Sequence, residues 1–326
     1  MMEGTERVSP VRRNILIAVI LTGVLAAVAV VLLAGRGGGS VAAVENSDPH
    51  APRPVSKDIL NAVDKITLQT PQAELVAKGR ELFRSNVTAK NGESCQSCHT
   101  DGAANNEIGP TPHIKPNTVG VDASFTGVRD PPTLFDVGRT DPYFWIGNTA
   151  TLNEVAVATI QNHFKPAFQP DLVAEAAALT AYMQTIKAPL TDFDRGTMSA
   201  AALRGEEIFQ GKAACVACHG GPDFTDNRKH DTFVPQAPGN NDPGAEAPPT
   251  GVCPLKPPDP LHPLACAFNT PALRGLSLAE TGPYMHNGIF ATLAQVVSFY
   301  NTQSSVAPLL LTTQEQSDLV AYLKAL

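Results

Sequence analysis

Apolar positions along the chain fall into one continuous block followed by several spaced series. The block is Ile15–Ala34, twenty residues without a charge. That is long enough to span a bilayer and longer than a usual signal-peptide core. Arg12 and Arg13 precede it, which favours a cytoplasmic N-terminus (residues 1–14), a transmembrane anchor (15–34) and the rest of the chain outside. A cleaved leader, processed among the small residues Gly37–Ser40 or Ala42-Ala43, is the alternative. Gly35 to Val55 shows no apolar periodicity, and residues 35–69 are expected to form a tether.

Beyond the tether the spacing becomes helical and predicts a mainly α fold. Leu75, Val76, Leu82 and Phe83 share one face of a helix over Gln72–Phe83, with Gly79 among them. Further helices are expected at Leu152–Phe164, Leu172–Ile186, Ala200–Phe209, Leu293–Tyr300 and Thr313–Leu326. Lys187–Arg195, with Pro189 and Asp192, reads as a linker between two domains, 70–187 and 188–326. A long Pro/Gly loop covers Pro222–Pro263.

The two halves repeat each other. Gly79-Arg-Glu-Leu-Phe83 matches Gly205-Glu-Glu-Ile-Phe209, and a CxxCH follows each. Pro142-Tyr-Phe-Trp145-Ile-Gly147 then aligns without a gap on Pro283-Tyr-Met-His286-Asn-Gly288, and Thr151-Leu152 on Thr292-Leu293. In this register Trp145 takes the place of His286, and Thr159 that of Tyr300.

Composition narrows the reading. The chain has 326 residues, a formal charge of −7 and no basic stripe, which argues against nucleic-acid binding. Aromatics make up only 6%, while Gly (25) and Pro (28) are abundant, so long ordered loops around bulky cofactors are expected.

The chemistry lies in Cys95-Gln-Ser-Cys98-His99 and Cys215-Val-Ala-Cys218-His219. Two thiols add to the haem vinyl groups and the adjoining histidine ligates the iron, so two covalently bound haem c groups are expected. A zinc site would not need a histidine after each pair, and a thioredoxin-like CxxC would not recur with its own repeat. Cys253 and Cys266, thirteen residues apart, are expected to be disulfide-bonded outside the cytoplasm, with two buried thiols as the alternative.

The sixth iron ligand decides between electron transfer and reaction at an open face. Leu293, Val296, Val297 and Tyr300 share a helix face, so Tyr300 is a candidate ligand for the second haem, with a core tyrosine as the plain alternative. Met285 is another candidate, within a tight turn. Thr159 is a poor ligand, leaving the His99 haem open or closed by His113 or His163. His50, His230 and His262 read as loop residues. Trp145, the single tryptophan, is a candidate electron relay between the haems or a packing residue.

With both CxxCH motifs, Arg129-Asp-Pro-Pro-Thr-Leu, Phe144-Trp145-Ile-Gly147, Phe224-Thr-Asp-Asn227, Thr270-Pro-Ala-Leu-Arg274 and Pro283-Tyr-Met-His286-Asn-Gly288, residues 70–326 resemble the bacterial di-haem cytochrome c peroxidase family, which includes MauG. The resemblance implies two tandem cytochrome c-like haem domains. The N-terminal haem meets hydrogen peroxide, and the C-terminal one takes electrons from a small redox protein or other donor. It places the interhaem tryptophan on Trp145, and His286, its counterpart in the repeat, is expected to be a second catalytic residue. It also implies a calcium ion at Asp130 and the carbonyls of Thr281 and Pro283. It makes Tyr300 the MauG-type distal ligand, where the peroxidases have methionine. The amide and carboxylate of the peroxidases fall on Val155 and Lys165, and their loop histidine on Asp122. The expected protein is a periplasmic, membrane-anchored haem oxidoreductase of peroxidase or MauG type. The alternatives are a di-haem electron-transfer cytochrome without enzymatic activity and a haem-based sensor.

Overall fold

The structure, a computed structural model, describes residues 55–85, 94–99, 129–163, 171–236, 242–246, 248–249, 251, 253–254, 259–276 and 284–326. Ile15–Ala34 lies outside these residues, and among those described no helix is long and apolar enough to cross a membrane.

Nine α-helices occur among the described residues: α1 (Lys57–Gln69), α2 (Gln72–Arg84), α3 (Cys95–Cys98), α4 (Leu152–His163), α5 (Leu172–Met183), α6 (Asp192–Arg195), α7 (Ala200–Gln210), α8 (Leu293–Thr302) and α9 (Thr313–Ala325). The two short strands β1 (Lys229–His230) and β2 (Phe268–Asn269) pair antiparallel, His230 opposite Phe268.

Helix α1 corrects the expected tether. Residues 57–69 are helical, capped by the Ser56 hydroxyl, and bury Val63 completely in the first core, with Ile59 and Ile66 beside it. The spacing of these three residues is helical, but the intervening Lys and Asp residues masked it. Helix α5 also stops three residues short of Ile186. There the Thr185 and Ile186 amides turn to the carbonyls of Tyr182 and Met183, tightening the last turn.

Two apolar cores result. The first gathers α1, α2, α4 and α5 around Phe83, Val157, Ile160 and Tyr182; the second gathers α7, α8 and α9 around Phe209, Val297, Leu319 and Tyr322. The segment read as a linker runs from Ala188 on the first core to Phe193 on the second. It also forms α6, closed by a capping box between Thr191 and Asp194.

Each core is built on the same helix crossing. A Cβ on Gly79 would lie 2.0 Å from the Ala178 carbonyl oxygen, and one on Gly205 2.0 Å from that of Asp318. Only glycine permits so close an approach. One turn after each glycine an aromatic pair seals the crossing, Phe83–Tyr182 at 5.3 Å and Phe209–Tyr322 at 5.2 Å, both edge-on.

The repeat extends into the loops. Phe144 and Met285 both have positive φ (63° and 73°), as do Gly147 and Gly288 (53° and 65°). The bridge Tyr143↔Thr149 has its counterpart in Tyr284↔Phe290. Glu154 reaches back to the amides of Ala150 and Thr151 before α4, as Gln295 does to those of Ala291 and Thr292 before α8. The register expected from sequence is therefore present in the backbone.

Candidate haem sites and the interhaem cluster

Both CxxCH segments fold into one tight turn. The His99 amide donates to the Cys95 carbonyl and the His219 amide to that of Cys215, each at 2.8 Å. The turn places the histidine back over the first cysteine. At the second motif, Nδ1 of His219 donates to the Phe224 carbonyl at 3.0 Å, leaving Nε2 with its lone pair. Burial lowers the His219 pKa and keeps the ring neutral, as metal ligation requires. Cys215 and Cys218 are unbridged thiols; burial pushes Cys215 up to about 11.

Tyr300 lies in the last turn of α8. Its phenol is pushed up to about 12 by burial, partly offset by a hydrogen bond with Thr232, and raised further by Cys215 and Cys218. That dependence on both cysteines puts the phenol in their vicinity. Thiol pair, neutral imidazole and phenol together fit a covalently held haem. Cys218 also lies within 4.8 Å of Asp226 and His230, which pair at 2.8 Å. His230 is thus not a plain loop residue: β1 carries it to the edge of the second motif.

In the first half, Thr159 is half-buried on α4, and Val155 packs against the apolar core. The side chains of Cys98 and His163 lie outside the described part, as do His50, His113, Asp122, Lys165, Thr281 and Pro283.

Trp145 and His286, equivalent in the repeat, meet edge-on with ring centroids 6.3 Å apart. The Trp145 indole N–H donates to the Asp130 carbonyl, and the Asp130 amide donates to the His286 carbonyl at 2.7 Å. The Trp145 carbonyl in turn accepts from the Asn269 amide at 2.7 Å. His286 stacks face-to-face on Phe268, centroids 3.5 Å apart, and burial lowers its pKa to about 4, so the ring is neutral. Asp130 is buried, one carboxylate oxygen has no hydrogen-bond partner, and burial raises its pKa to about 8.

Cys253 and Cys266 form the expected disulfide, 5.6 Å between Cα atoms. Sequence reasoning did not single out Asp242, Phe268 or the pairing of Asp226 with His230. Asp226 stands in the Phe224–Asn227 motif, but Asp242 and Phe268 occupy aperiodic chain that carries no comparable signal.

Two CxxCH turns on a duplicated helical scaffold define a di-haem c-type cytochrome. Residues 73–186 match the family model described as di-haem cytochrome c peroxidase. It is 29% identical over 366 residues to cytochrome-c peroxidase IdrP1 of Denitromonas iodatirespirans, covering 92% of this chain and 91% of that protein. It is 27% identical to methylamine utilization protein MauG of Methylophilus methylotrophus, covering 78% and 82%. Among solved structures, a MauG-like protein associated with microbial copper homeostasis shares the fold, with a TM-score of 0.59 and 22% identity over 77% of this chain and 89% of that one. Its relatives are haem oxidoreductases, and covalent haem c is the cofactor the family implies.

Proposed function

We propose that residues 70–326 form two tandem cytochrome c-like haem domains that act together as a peroxide-using oxidoreductase of MauG type. Cys95, Cys98 and His99 hold one haem; Cys215, Cys218 and His219 hold the other, with Tyr300 as its second protein ligand. The iron would supply peroxide binding at an open face and storage of oxidising equivalents.

The observation that carries the reading is the inequality of matched positions. Tyr300 sits where both Cys215 and Cys218 act on its phenol, while its counterpart Thr159 is a poor iron ligand. The second site is therefore closed by the chain and the first is left open for a small oxidant. Trp145, held by the Asp130 carbonyl and facing His286, serves as the electron relay between the two. A carbonyl cannot take a proton from the indole, so Trp145 exchanges electrons without losing its N–H.

Asp130 supports the calcium assignment by geometry, because a buried carboxylate oxygen without a partner is relieved by a cation. The carbonyls of Thr281 and Pro283 would complete that site. The run Ile15–Ala34 supports an inner-membrane anchor and a periplasmic position for the haem domains. A small redox protein or comparable donor would supply electrons.

A second reading, an electron carrier without peroxide chemistry, draws on Val155, which offers no acid–base group where O–O cleavage would use one. Resting-state EPR and resonance Raman separate the two. One high-spin five-coordinate haem that reacts with peroxide is expected; two low-spin haems inert to peroxide would sink the proposal. Tyr300→Phe should change the spectrum of one haem only, and an unchanged spectrum refutes Tyr300 as a ligand.

A further inference from the structure

We infer that Asp242 is a positioning residue for electron exchange between the two haems, acting through Arg129 as the clasp that ties the disulfide-bonded loop to the Trp145–His286 pair. The inference rests on the relay role proposed for Trp145 and adds a part to it.

Arg129 and Asp242 form a two-pronged ion pair, Nε to Oδ2 at 2.6 Å and Nη2 to Oδ1 at 2.7 Å. The Asp242 side chain is 2% exposed and that of Arg129 17%, so the pair is well shielded from water. Burial alone would raise the Asp242 pKa, but the hydrogen bond and charge of Arg129 outweigh it and keep the carboxylate ionised. Such planar, bidentate geometry fixes both partners in direction as well as distance.

Each end of the pair is anchored. The Asp242 backbone is gripped by the Gln236 amide, which donates to its carbonyl at 3.0 Å and accepts from its N–H at 3.2 Å. The following residues are stitched onto the disulfide strand: the Cys266 amide donates to the Pro243 carbonyl and the Ala245 amide to that of Ala267, both at 2.9 Å. A Cβ on Gly244 would come within 2.7 Å of that strand's backbone, so the two segments lie in direct contact. Two residues past Cys266 the chain reaches Phe268, on which His286 stacks.

At the other end, Arg129 immediately precedes Asp130, whose amide and carbonyl bind His286 and Trp145 respectively. The Arg129 guanidinium also lies 6.0 Å from the Phe268 ring centroid. Loop and relay thus close a ring of contacts, and Asp242 is its junction. Among the described residues, none of the hydrogen bonds that close this ring is made by a CxxCH residue. Asp242 also places a negative charge against the Arg129 guanidinium, and both charges act on the neighbouring His286 ring.

The test uses holoprotein with both haems oxidised. One electron is injected by a photosensitiser, and its redistribution between the haems is followed by their separate absorption bands. Asp242→Asn should slow redistribution by a factor of about ten to a hundred, with the EPR and absorption spectra of both haems unchanged. Opening the same ring at its other side, Cys253→Ser with Cys266→Ser should also slow it, and this variant carries the test if Asp242→Asn does not fold. Redistribution within about twofold of the parent, or slowing accompanied by altered haem ligation, overturns the inference. Trp145→Phe separates the two proposals: if it leaves redistribution fast, the relay itself fails; if it alone slows redistribution, only the clasp fails.

Discussion

Replacing Gly205 with alanine tests the helix crossing on which the second apolar core is built. The added Cβ would stand 2.0 Å from the Asp318 carbonyl oxygen, 2.7 Å from its carbon and 2.8 Å from the Tyr322 Cβ. A comfortable carbon–oxygen contact is about 3.3 Å, so α7 and α9 must separate by about 1.3 Å. None of the three obstacles is a flexible side-chain end; two are backbone atoms. Overpacking of this kind costs about 1–3 kcal/mol, and with rigid backbone opposing it the upper end applies. Alanine returns up to about 1 kcal/mol through its better helix propensity. A net loss of about 2 kcal/mol remains, or roughly 4–8 °C in Tm for a unit of this size. Thermal and guanidinium unfolding of the holoprotein, followed by far-UV circular dichroism and haem absorbance, measure it. Gly79→Ala should do the same in the first core against Ala178. A Gly205→Ala midpoint within about 0.5 kcal/mol of the parent would show that the crossing does not depend on glycine.

Two further perturbations probe charge. The Lys212 hydrogen bond at 2.8 Å holds the Glu315 carboxyl down at about 2, from an ordinary value of 4.5, and Arg204 likewise lowers Asp318. Because the folded-state values are depressed, these groups contribute stability that is present above about pH 4.5 and lost as pH falls toward 2. Lys212→Met should therefore flatten part of the acid limb of Tm against pH between 4.5 and 2.5; an unchanged limb refutes the assignment. If calcium binds at Asp130, chelation should lower the holoprotein's Tm, by about 2.7 kcal/mol in stability where the ion had stood at a hundredfold its Kd. Asp130→Ala should make the Tm indifferent to the chelator, and a parent protein that is itself indifferent would refute the site.

How much of this was legible in the sequence depends on whether local pattern or distant chain supplied the contact. Gly79 and Gly205 were visible as equivalent positions, and the structure shows both at crossings where a side chain has no room. The match of Phe144–Gly147 to Met285–Gly288 predicted two copies of one turn, and their positive φ values agree residue by residue. Helix α1 escaped because Ile59, Val63 and Ile66 are diluted by polar neighbours and find their apolar partners on α5, more than a hundred residues away in the chain. Asp242 escaped for a related reason. Its partner Arg129 stands 113 residues earlier, and no periodicity in a Pro-rich loop marks a buried ion pair. The disulfide was predictable because thiol chemistry and compartment suffice to suggest it, whereas its value as an anchor for the chain leading to Phe268 required the fold.

The duplication explains how one scaffold can hold two unequal centres. Helix crossing, aromatic seal, capping box and hairpin turn recur with nearly the same geometry, so they set where a haem can sit and say nothing about what it does. The differences fall at positions the scaffold does not need. Threonine or tyrosine can occupy the same face of α4 or α8 without disturbing Leu152 or Leu293, which are buried alike. Tryptophan or histidine can occupy the same turn, because its hydrogen bonds are made by backbone. Trp145 and His286 then meet across the halves at matching points of the repeat, a pairing that duplication provides without a new fold. Function in this chain is therefore set by the residues that break the repeat. In the proposed reading Tyr300 closes one haem, Thr159 leaves the other open, and Trp145 relays between them.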